Sequence, residues 1–477
     1  MSQKKSKKTG TKAMTKKQVT KPVVKKLFGT DGIRGTANQF PIRADLVQKV
    51  GQAMGYLLRK KPSRRIGSER LVLIGKDTRL SGYMIETALA SGLNSMGVHV
   101  QLVGPLPTPG IGFVARNMRA DAGIVISASH NAYHDNGIKI FGSDGYKISD
   151  EMEKEIERLV FEEDLNNYLA EVNSIGRTRR IDDAGGRYIV NVKNSFPINS
   201  TLDGMRIVLD CANGAAYKVA PQIFQELGAE VIVLGNQPSG YNINDKTGAL
   251  YPSKTCEAVK KYRADVGITL DGDADRVIMV DEKGNIVNGD HILAICGFHL
   301  KKLGLLKDDT IVATQMSNFG LDKIMKQFGI KVVRTDVGDK HVVEAMRKKQ
   351  YTLGGEQSGH IIFLDHTTTG DGCVAALNVL AVMAKEDKKL SELNEIMENV
   401  PQCLINVKVR SRKTLEEIPG YKELAKDIEK RLNGDGRLFV RFSGTEPVIR
   451  ILVEGPDKKL ISSYAEELAN LLQRELG

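Results

Sequence analysis

Short apolar runs alternate with helical patterns over most of this 477-residue chain. Continuous apolar runs stand at 70–75 (RLVLIG), 98–103 (VHVQLV), 122–127 (AGIVIS), 206–210 (RIVLD), 230–234 (EVIVL), 265–270 (DVGITL), 310–314 (TIVAT) and 331–335 (KVVRT). Runs of this length without polar alternation predict strands covered on both faces. Between them, 43–60, 83–96, 216–228, 290–303 and 319–328 carry apolar residues at helical spacing and predict amphipathic helices. Strand–helix–strand alternation predicts mainly parallel α/β sheets. The alternation runs through 27–170, 180–285 and 286–390, with a charged helical stretch at 150–170 as a connector. The last stretch, 400–477, differs: a strand at 403–410, a helix at 415–432, strands at 437–442 and 448–453, and a helix at 459–474. The expected fold class is α/β, with three similar mixed-sheet α/β domains and a smaller C-terminal α+β domain around a central cleft. Ligands of such sheets sit off the carboxyl ends of the strands, so the loops just after strands are where chemistry is expected.

Charge adds a tail to this picture. The formal net charge is +11, yet residues 1–26 hold ten lysines and no acid, which accounts for all but one of those charges. The rest of the chain is near neutral, which argues against a nucleic-acid-binding body. The tail is rich in Lys, Thr, Ser and Gln and cannot bury enough apolar surface to offset its ordering entropy, so it reads as a disordered basic extension. A loose tether to polyanions is one reading of it; a solvated extension without a specific partner is the favoured one. It has no apolar h-region and no arginine, unlike secretory and transit segments. The cysteines Cys211, Cys256, Cys296, Cys373 and Cys403 are scattered, with no C-x-x-C pair, and read as reduced thiols. The apolar stretch near 373–384 is broken by Asn378 and too short to span a bilayer. The expectation is a cytoplasmic protein without a membrane span or a specific nucleic-acid partner.

Five segments carry candidate chemistry. After the strand at 122–127 comes Ser127-Ala128-Ser129-His130-Asn131, then Asp135-Asn136-Gly137-Ile138-Lys139. Ser129 is sterically open among small residues; His130 and Lys139 could offset a phosphate on it or shuttle protons. A polar turn fits the same residues. After the strand at 265–270 comes Asp271-Gly272-Asp273-Ala274-Asp275-Arg276. Three alternate carboxylates converge on one hard cation if the backbone curls, and oxygen ligands favour Mg²⁺ or Ca²⁺. An EF-hand also begins D-x-D-x-D and Glu282 would fill its twelfth position, but Arg276 stands where that loop needs Gly. The D-x-D-x-T loop of aspartyl phosphatases needs Thr where Asp275 stands. Gly354-Gly355-Glu356-Gln357-Ser358-Gly359-His360 offers donors and acceptors that suit sugar hydroxyls, and is equally a Gly-rich turn between strands. Arg441-Phe442-Ser443-Gly444-Thr445-Glu446-Pro447, with Arg450, has the makings of a phosphate clamp, or of a hairpin with surface arginines. Phe28-Gly29-Thr30-Asp31-Gly32-Ile33-Arg34-Gly35 is a tight loop with Arg34 as a candidate phosphate contact.

Taken in this order, FGTDGIRG at 28–35, ISASHN with DNGIK at 126–139, DGDADR at 271–276, GEQSGH at 355–360 and RFSGTEP with Arg450 resemble the α-D-phosphohexomutase superfamily. The resemblance covers everything but the tail. It implies a phosphoserine at Ser129, with Mg²⁺ held by Asp271, Asp273, Asp275 and the Ser129 phosphate. It places Arg34, His130, Lys139 and Arg276 around the transferring phosphate, with Lys139 or a neighbour as general base. Glu356, Ser358 and His360 would lie at the sugar, and Arg441, Ser443, Gly444, Thr445 and Arg450 would hold the distal phosphate. The reaction implied is interconversion of glucosamine 6-phosphate and glucosamine 1-phosphate through glucosamine 1,6-bisphosphate, feeding UDP-N-acetylglucosamine synthesis. Glucose or mannose phosphates are the alternative substrates within the superfamily. The resemblance allows a homodimer. A serine phosphatase would share the nucleophile and metal but does not need a second phosphate clamp. Two departures stand out: Ala132 where the family often has proline after SHN, and Val337-Gly338-Asp339-Lys340-His341 where it often has Asp-Arg-Tyr.

Overall fold

Strand Arg70–Lys76 is buried along its whole length, as a strand covered on both faces must be. It pairs in parallel with Val98–Pro105 on one side and Ala122–Ile126 on the other, at the centre of a seven-stranded sheet. The structure is a computed structural model that describes residues 26–61, 69–410, 414–443 and 447–477. Apart from Lys26, the expected basic tail lies outside the described residues. Beyond Ala122–Ile126 the sheet turns antiparallel: Asp135–Gly142 pairs with it and with Gly32–Thr36. At the other edge Thr178–Arg180 adds in parallel to Val98–Pro105.

The periodicity does not predict Asp135–Gly142. This strand opens on the turn residues Asp-Asn-Gly and carries Lys139 at its middle, so it reads as polar although six of its eight positions are buried. In the second sheet, Val266–Leu270 lies between Arg206–Asp210, in parallel, and Val277–Asp281, antiparallel. In the third, Thr310–Thr314 is flanked in parallel by Lys331–Thr335 and Leu353–Gly355, and Ile361–Phe363 closes the edge antiparallel. All eight strands expected from apolar runs are present, as are the five expected helices. The expected parallel character holds at the sheet centres. The antiparallel edges come from hairpins that bear the polar loops.

The apolar stretch near 373–384 is the buried helix Gly372–Glu386. Asp371 caps it, accepting from Cys373 N at 3.0 Å and Val374 N at 3.1 Å. Asn378 donates its amide to Val374 O at 2.9 Å, so its polarity is satisfied within the helix. No helix among the described residues is long and apolar enough to cross a membrane. The expected helix at 415–432 is broken: a 3₁₀ turn at Leu415–Glu417 is followed by the helix Tyr421–Leu432. Pro419 cannot continue a helix and Gly420 takes φ +75°, so the chain turns between them.

One apolar core runs through the three sheet-bearing units, from Leu71 and Val125 through Leu209 and Ile268 to Ile311 and Leu380. The C-terminal unit has its own core, built on Ile428, Ile449, Ile451 and Leu468. It meets the third unit through polar bonds, including Arg437 to Ser317 O at 3.0 Å and Phe319 N to Glu454 at 3.0 Å.

Candidate active site

The first sheet delivers Ser129 just past the end of Ala122–Ile126, buried and with φ +52°. A residue with a Cβ costs about 1–2 kcal/mol in the left-handed region, so other contacts must hold it there. The Ser129 amide donates to Ser127 Oγ at 2.9 Å. The Ser129 carbonyl accepts from Arg79 at 3.1 Å and from Asn244 at 2.9 Å. The same two side chains donate to the Asn131 carbonyl. Arg79 is itself fully buried and paired with Asp77. Two side chains from different units therefore fix the loop that lacks a proline at Ala132.

The Asp271–Arg276 turn joins the antiparallel strands Val266–Leu270 and Val277–Asp281 and comes up against this loop. The close approach requires Gly272: a Cβ there would lie 2.6 Å from Ser129 O. Ala274 takes φ +55°, and that curl gathers the carboxylates. One oxygen from each of Asp271, Asp273 and Asp275 lies within 4.8 Å of the others. Ser129 Oγ donates to Asp271 Oδ2 at 2.6 Å. Burial, then the neighbouring Asp275 and Asp273, push the Asp271 carboxyl well above the usual carboxylate range, so a cation would restore its charge. Asp273 Oδ1 and Asp275 Oδ1 are buried without a hydrogen-bond partner. Unpartnered buried carboxylate oxygens are costly, and an all-oxygen set of this kind suits a hard divalent cation. Glu282, the residue an EF-hand would use, instead accepts from Ser391 N at 3.2 Å.

Positive groups surround the carboxylates. Lys139 is buried and donates to Asp273 Oδ2 at 2.9 Å and Asp275 Oδ2 at 3.2 Å. Burial works against its charge, but Asp273, Asp31 and Asp275 hold it well above the ordinary lysine value. In this arrangement three carboxylates hold Lys139 as a cation. His130 Nδ1 lies 3.2 Å from Ser129 Oγ. Burial, with Arg276 and Arg34 nearby, pushes the His130 imidazole down to about 4, so it is neutral at pH 7. Arg34 is paired with Asp31. The Nε atoms of Arg34 and Arg276 are buried without a hydrogen-bond partner, as donors awaiting an anion are, and Arg276 Nε stands 3.9 Å from Asp275 Oδ1.

The Leu353–Gly355 and Ile361–Phe363 hairpin presents Glu356, which accepts from Gly338 N at 3.1 Å and Ser358 Oγ at 3.2 Å. His360 is turned elsewhere. Its Nε2 accepts from Gly370 N at 3.0 Å and its Nδ1 stands 3.7 Å from Asp275, fully buried against the carboxylates. In the C-terminal unit Arg441 and Arg450 sit directly opposite each other on adjacent antiparallel strands. Like charges so placed repel. Burial, then Arg450, presses Arg441 below the ordinary guanidinium range. Ser443 is buried beside them, with its amide on Val448 O at 2.8 Å. Gly444 and Thr445 lie outside the described residues.

Motif reading does not single out Asp31, Thr108, Arg79, Asn244, Lys147 or Asp339. Thr108 donates to Asp273 at 2.6 Å, and the others tie loops together. Asp31 and Asp339 stand inside segments already marked. The others come from distant parts of the chain, and no local spacing reveals them.

Four domain families described as phosphoglucomutase/phosphomannomutase match the chain: α/β/α domain I over 25–167, domain II over 186–284, domain III over 288–400 and the C-terminal domain over 404–471. The chain is 70% identical over 452 residues to a phosphoglucosamine mutase of Bdellovibrio bacteriovorus, covering 95% of this chain and 99% of the relative. Its fold is similar to a phosphoglucomutase/phosphomannomutase family protein from Burkholderia thailandensis, with TM-score 0.76, 22% identity and coverage of 94% and 97%. It is also similar to Aspergillus fumigatus N-acetylphosphoglucosamine mutase in complex with GlcNAc-6P and magnesium, with TM-score 0.65, 18% identity and coverage of 94% and 96%.

Proposed function

Because this chain belongs to the phosphoglucomutase/phosphomannomutase family, we propose that it interconverts glucosamine 6-phosphate and glucosamine 1-phosphate, with Ser129 as the phosphate carrier. One observation carries the carrier role: a buried serine hydroxyl stands among carboxylate oxygens and guanidinium nitrogens that lack a hydrogen-bond partner. That set suits a phosphate together with a divalent cation, and the name of the 70%-identical relative supports the amino sugar. The chain reads as four domains, and the substrate lies between the loops they contribute.

The phosphoryl group leaves Ser129 Oγ for O1 of glucosamine 6-phosphate. The Oγ–P bond breaks, the O1–P bond forms, and the O1 proton ends on Oγ. The glucosamine 1,6-bisphosphate then turns over, its 6-phosphoryl group returns to Oγ, and O6 takes up the proton as glucosamine 1-phosphate leaves. No external phosphate donor is consumed. His130 Nδ1, 3.2 Å from Oγ, relays the proton at that atom. Lys139, Arg34 and Arg276 balance the phosphate, whose charge is about −1.5 to −2. Asp271, Asp273 and Asp275 would hold Mg²⁺, which would neutralise charge on the transferring phosphoryl group. The separate core of the C-terminal unit supports its opening to let the bisphosphate turn and closing to exclude water. Glu356 and Ser358 face the sugar.

Assay of the purified chain on glucosamine 6-phosphate beside glucose 6-phosphate and mannose 6-phosphate tests the substrate. Glucosamine 6-phosphate is expected to have the highest kcat/KM, by about 10-fold or more, as a hydrogen-bonded group on the substrate confers. Equal or greater efficiency on glucose or mannose phosphates would remove the amino-sugar assignment. Arg441→Gln removes one half of the distal clamp. It is expected to raise KM by about 10- to 100-fold, the worth of a charge-assisted hydrogen bond. Thermal stability should hold or rise as the repulsion with Arg450 is relieved, and an unchanged KM would move the distal phosphate elsewhere.

A further inference from the structure

Charged side chains form a ring that passes through three units. Lys139 meets Asp275 at 3.2 Å, Asp275 stands 3.7 Å from His360, and His360 stands 3.8 Å from Asp339. Asp339 meets Lys147 at 2.5 Å, Lys147 pairs with Asp31, and Asp31 returns to Lys139 at 3.4 Å. Lys139, Lys147 and Asp31 belong to the first sheet's unit, Asp275 to the second, and His360 and Asp339 to the third. Only one member of the ring touches neither the carboxylate triad nor a residue assigned to phosphate or sugar: Lys147, whose ammonium is bonded to Asp31 and Asp339.

We propose that Lys147 is a positioning residue for phosphoryl transfer, bridging Asp31 and Asp339 so that the first and third units meet at Ser129 in the productive register. The inference rests on the mutase reading above. Asp31 shares one carboxylate among Lys147, Lys139 and Arg34. Without Lys147 that carboxylate is left with excess attraction for Lys139 and Arg34 and draws them from the phosphate. On the other side, Asp339 opens the helix Asp339–Lys349, and the preceding Gly338 amide holds Glu356 at 3.1 Å. A shift at Asp339 therefore moves the sugar loop. The Lys147 and Asp339 side chains are only 19% and 15% exposed, so the pair is weakly screened. A misplacement of about 1 Å at a reacting centre costs on the order of 100-fold in rate.

The test uses the full chain in a glucosamine 6-phosphate mutase assay. Lys147→Met keeps the stem and removes the charge. It is expected to lower kcat by about 100-fold with KM within about 3-fold, while Lys147→Arg recovers kcat to within about 10-fold of wild type. Lys147→Met combined with Asp339→Asn should be no slower than the slower single variant, since both break one bridge. A Lys147→Met chain within about 3-fold of wild-type kcat overturns the proposal. So do a kcat loss that only tracks loss of folded protein by calorimetry, failure of Lys147→Arg to recover, and losses that multiply in the double variant. A wild-type chain that turns over no hexose phosphate overturns the mutase reading and the bridge with it. Wild-type turnover with an indifferent Lys147 overturns the bridge alone.

Discussion

Replacing Ser129 with alanine is expected to lower mutase turnover by about 10³-fold or more while the protein stays folded, on the scale of removing a covalent nucleophile. The fold should survive because Ser and Ala both carry a Cβ, so the left-handed φ of +52° costs them the same. The contacts that hold the loop fall on backbone carbonyls, where Arg79 and Asn244 donate, and are indifferent to the side chain. What disappears is the Oγ that donates to Asp271 at 2.6 Å. Intact-mass and peptide mass spectrometry of the wild type should find one phosphate, on Ser129, and the alanine variant should lack it. Substantial turnover by Ser129→Ala, or a phosphate on another residue, would refute the carrier role. Binding of glucosamine 6-phosphate by the variant should persist, because the distal clamp is on a different unit.

The second large effect is expected at Asp273. Asp273→Asn keeps the shape, so the Oδ1 acceptor remains, but removes one of three negative charges. Lys139 keeps Asp275 and Asp31 as partners, so local order should largely hold. The Mg²⁺ concentration for half-maximal activity should rise by about 10- to 100-fold or more, since changes one shell further from a metal already have that effect. Activity of the wild type should vanish with a chelator and return with Mg²⁺. Titration of activity against Mg²⁺ reads this directly, and an unchanged metal response in Asp273→Asn would count against the carboxylate cluster as the metal site. Some thermal stability should be lost as well, because Lys139 and Thr108 are left facing a neutral amide in a buried position.

The two predictions probe a site whose parts differ in how legible they are. Ser129 and the three aspartates are readable because each sits directly after a continuous apolar strand, where α/β sheets place their ligands. Arg441 and Arg450 are readable as a pair of cations flanking a small-residue turn. Lys139 is marked by its motif, but its environment is not: a strand with a buried lysine looks like a loop in sequence. His360 is a different case. It sits in the sugar-loop motif, yet its ring packs against Asp275 and Gly370, a direction fixed by how the second and third units meet. The helix break at Pro419-Gly420 could be read from those two residues alone.

Ala132 marks the boundary between the two kinds of information. From sequence, its lack of a proline ring leaves the serine loop underdetermined. In the fold, Arg79 and Asn244, separated by 165 positions, converge on the same two carbonyls and fix it. The sequence by itself determined the continuous apolar strands, most of the helices, the near-neutral body and the identity of the groups that can carry, balance and clamp a phosphate. These follow from local apolar periodicity and side-chain chemistry. Only the tertiary structure decided which oxygens lack partners, which lysine is held as a cation, and how Lys147 joins Asp31 to Asp339. Those facts depend on distances between residues far apart in the chain, set by the packing of three sheets on one core.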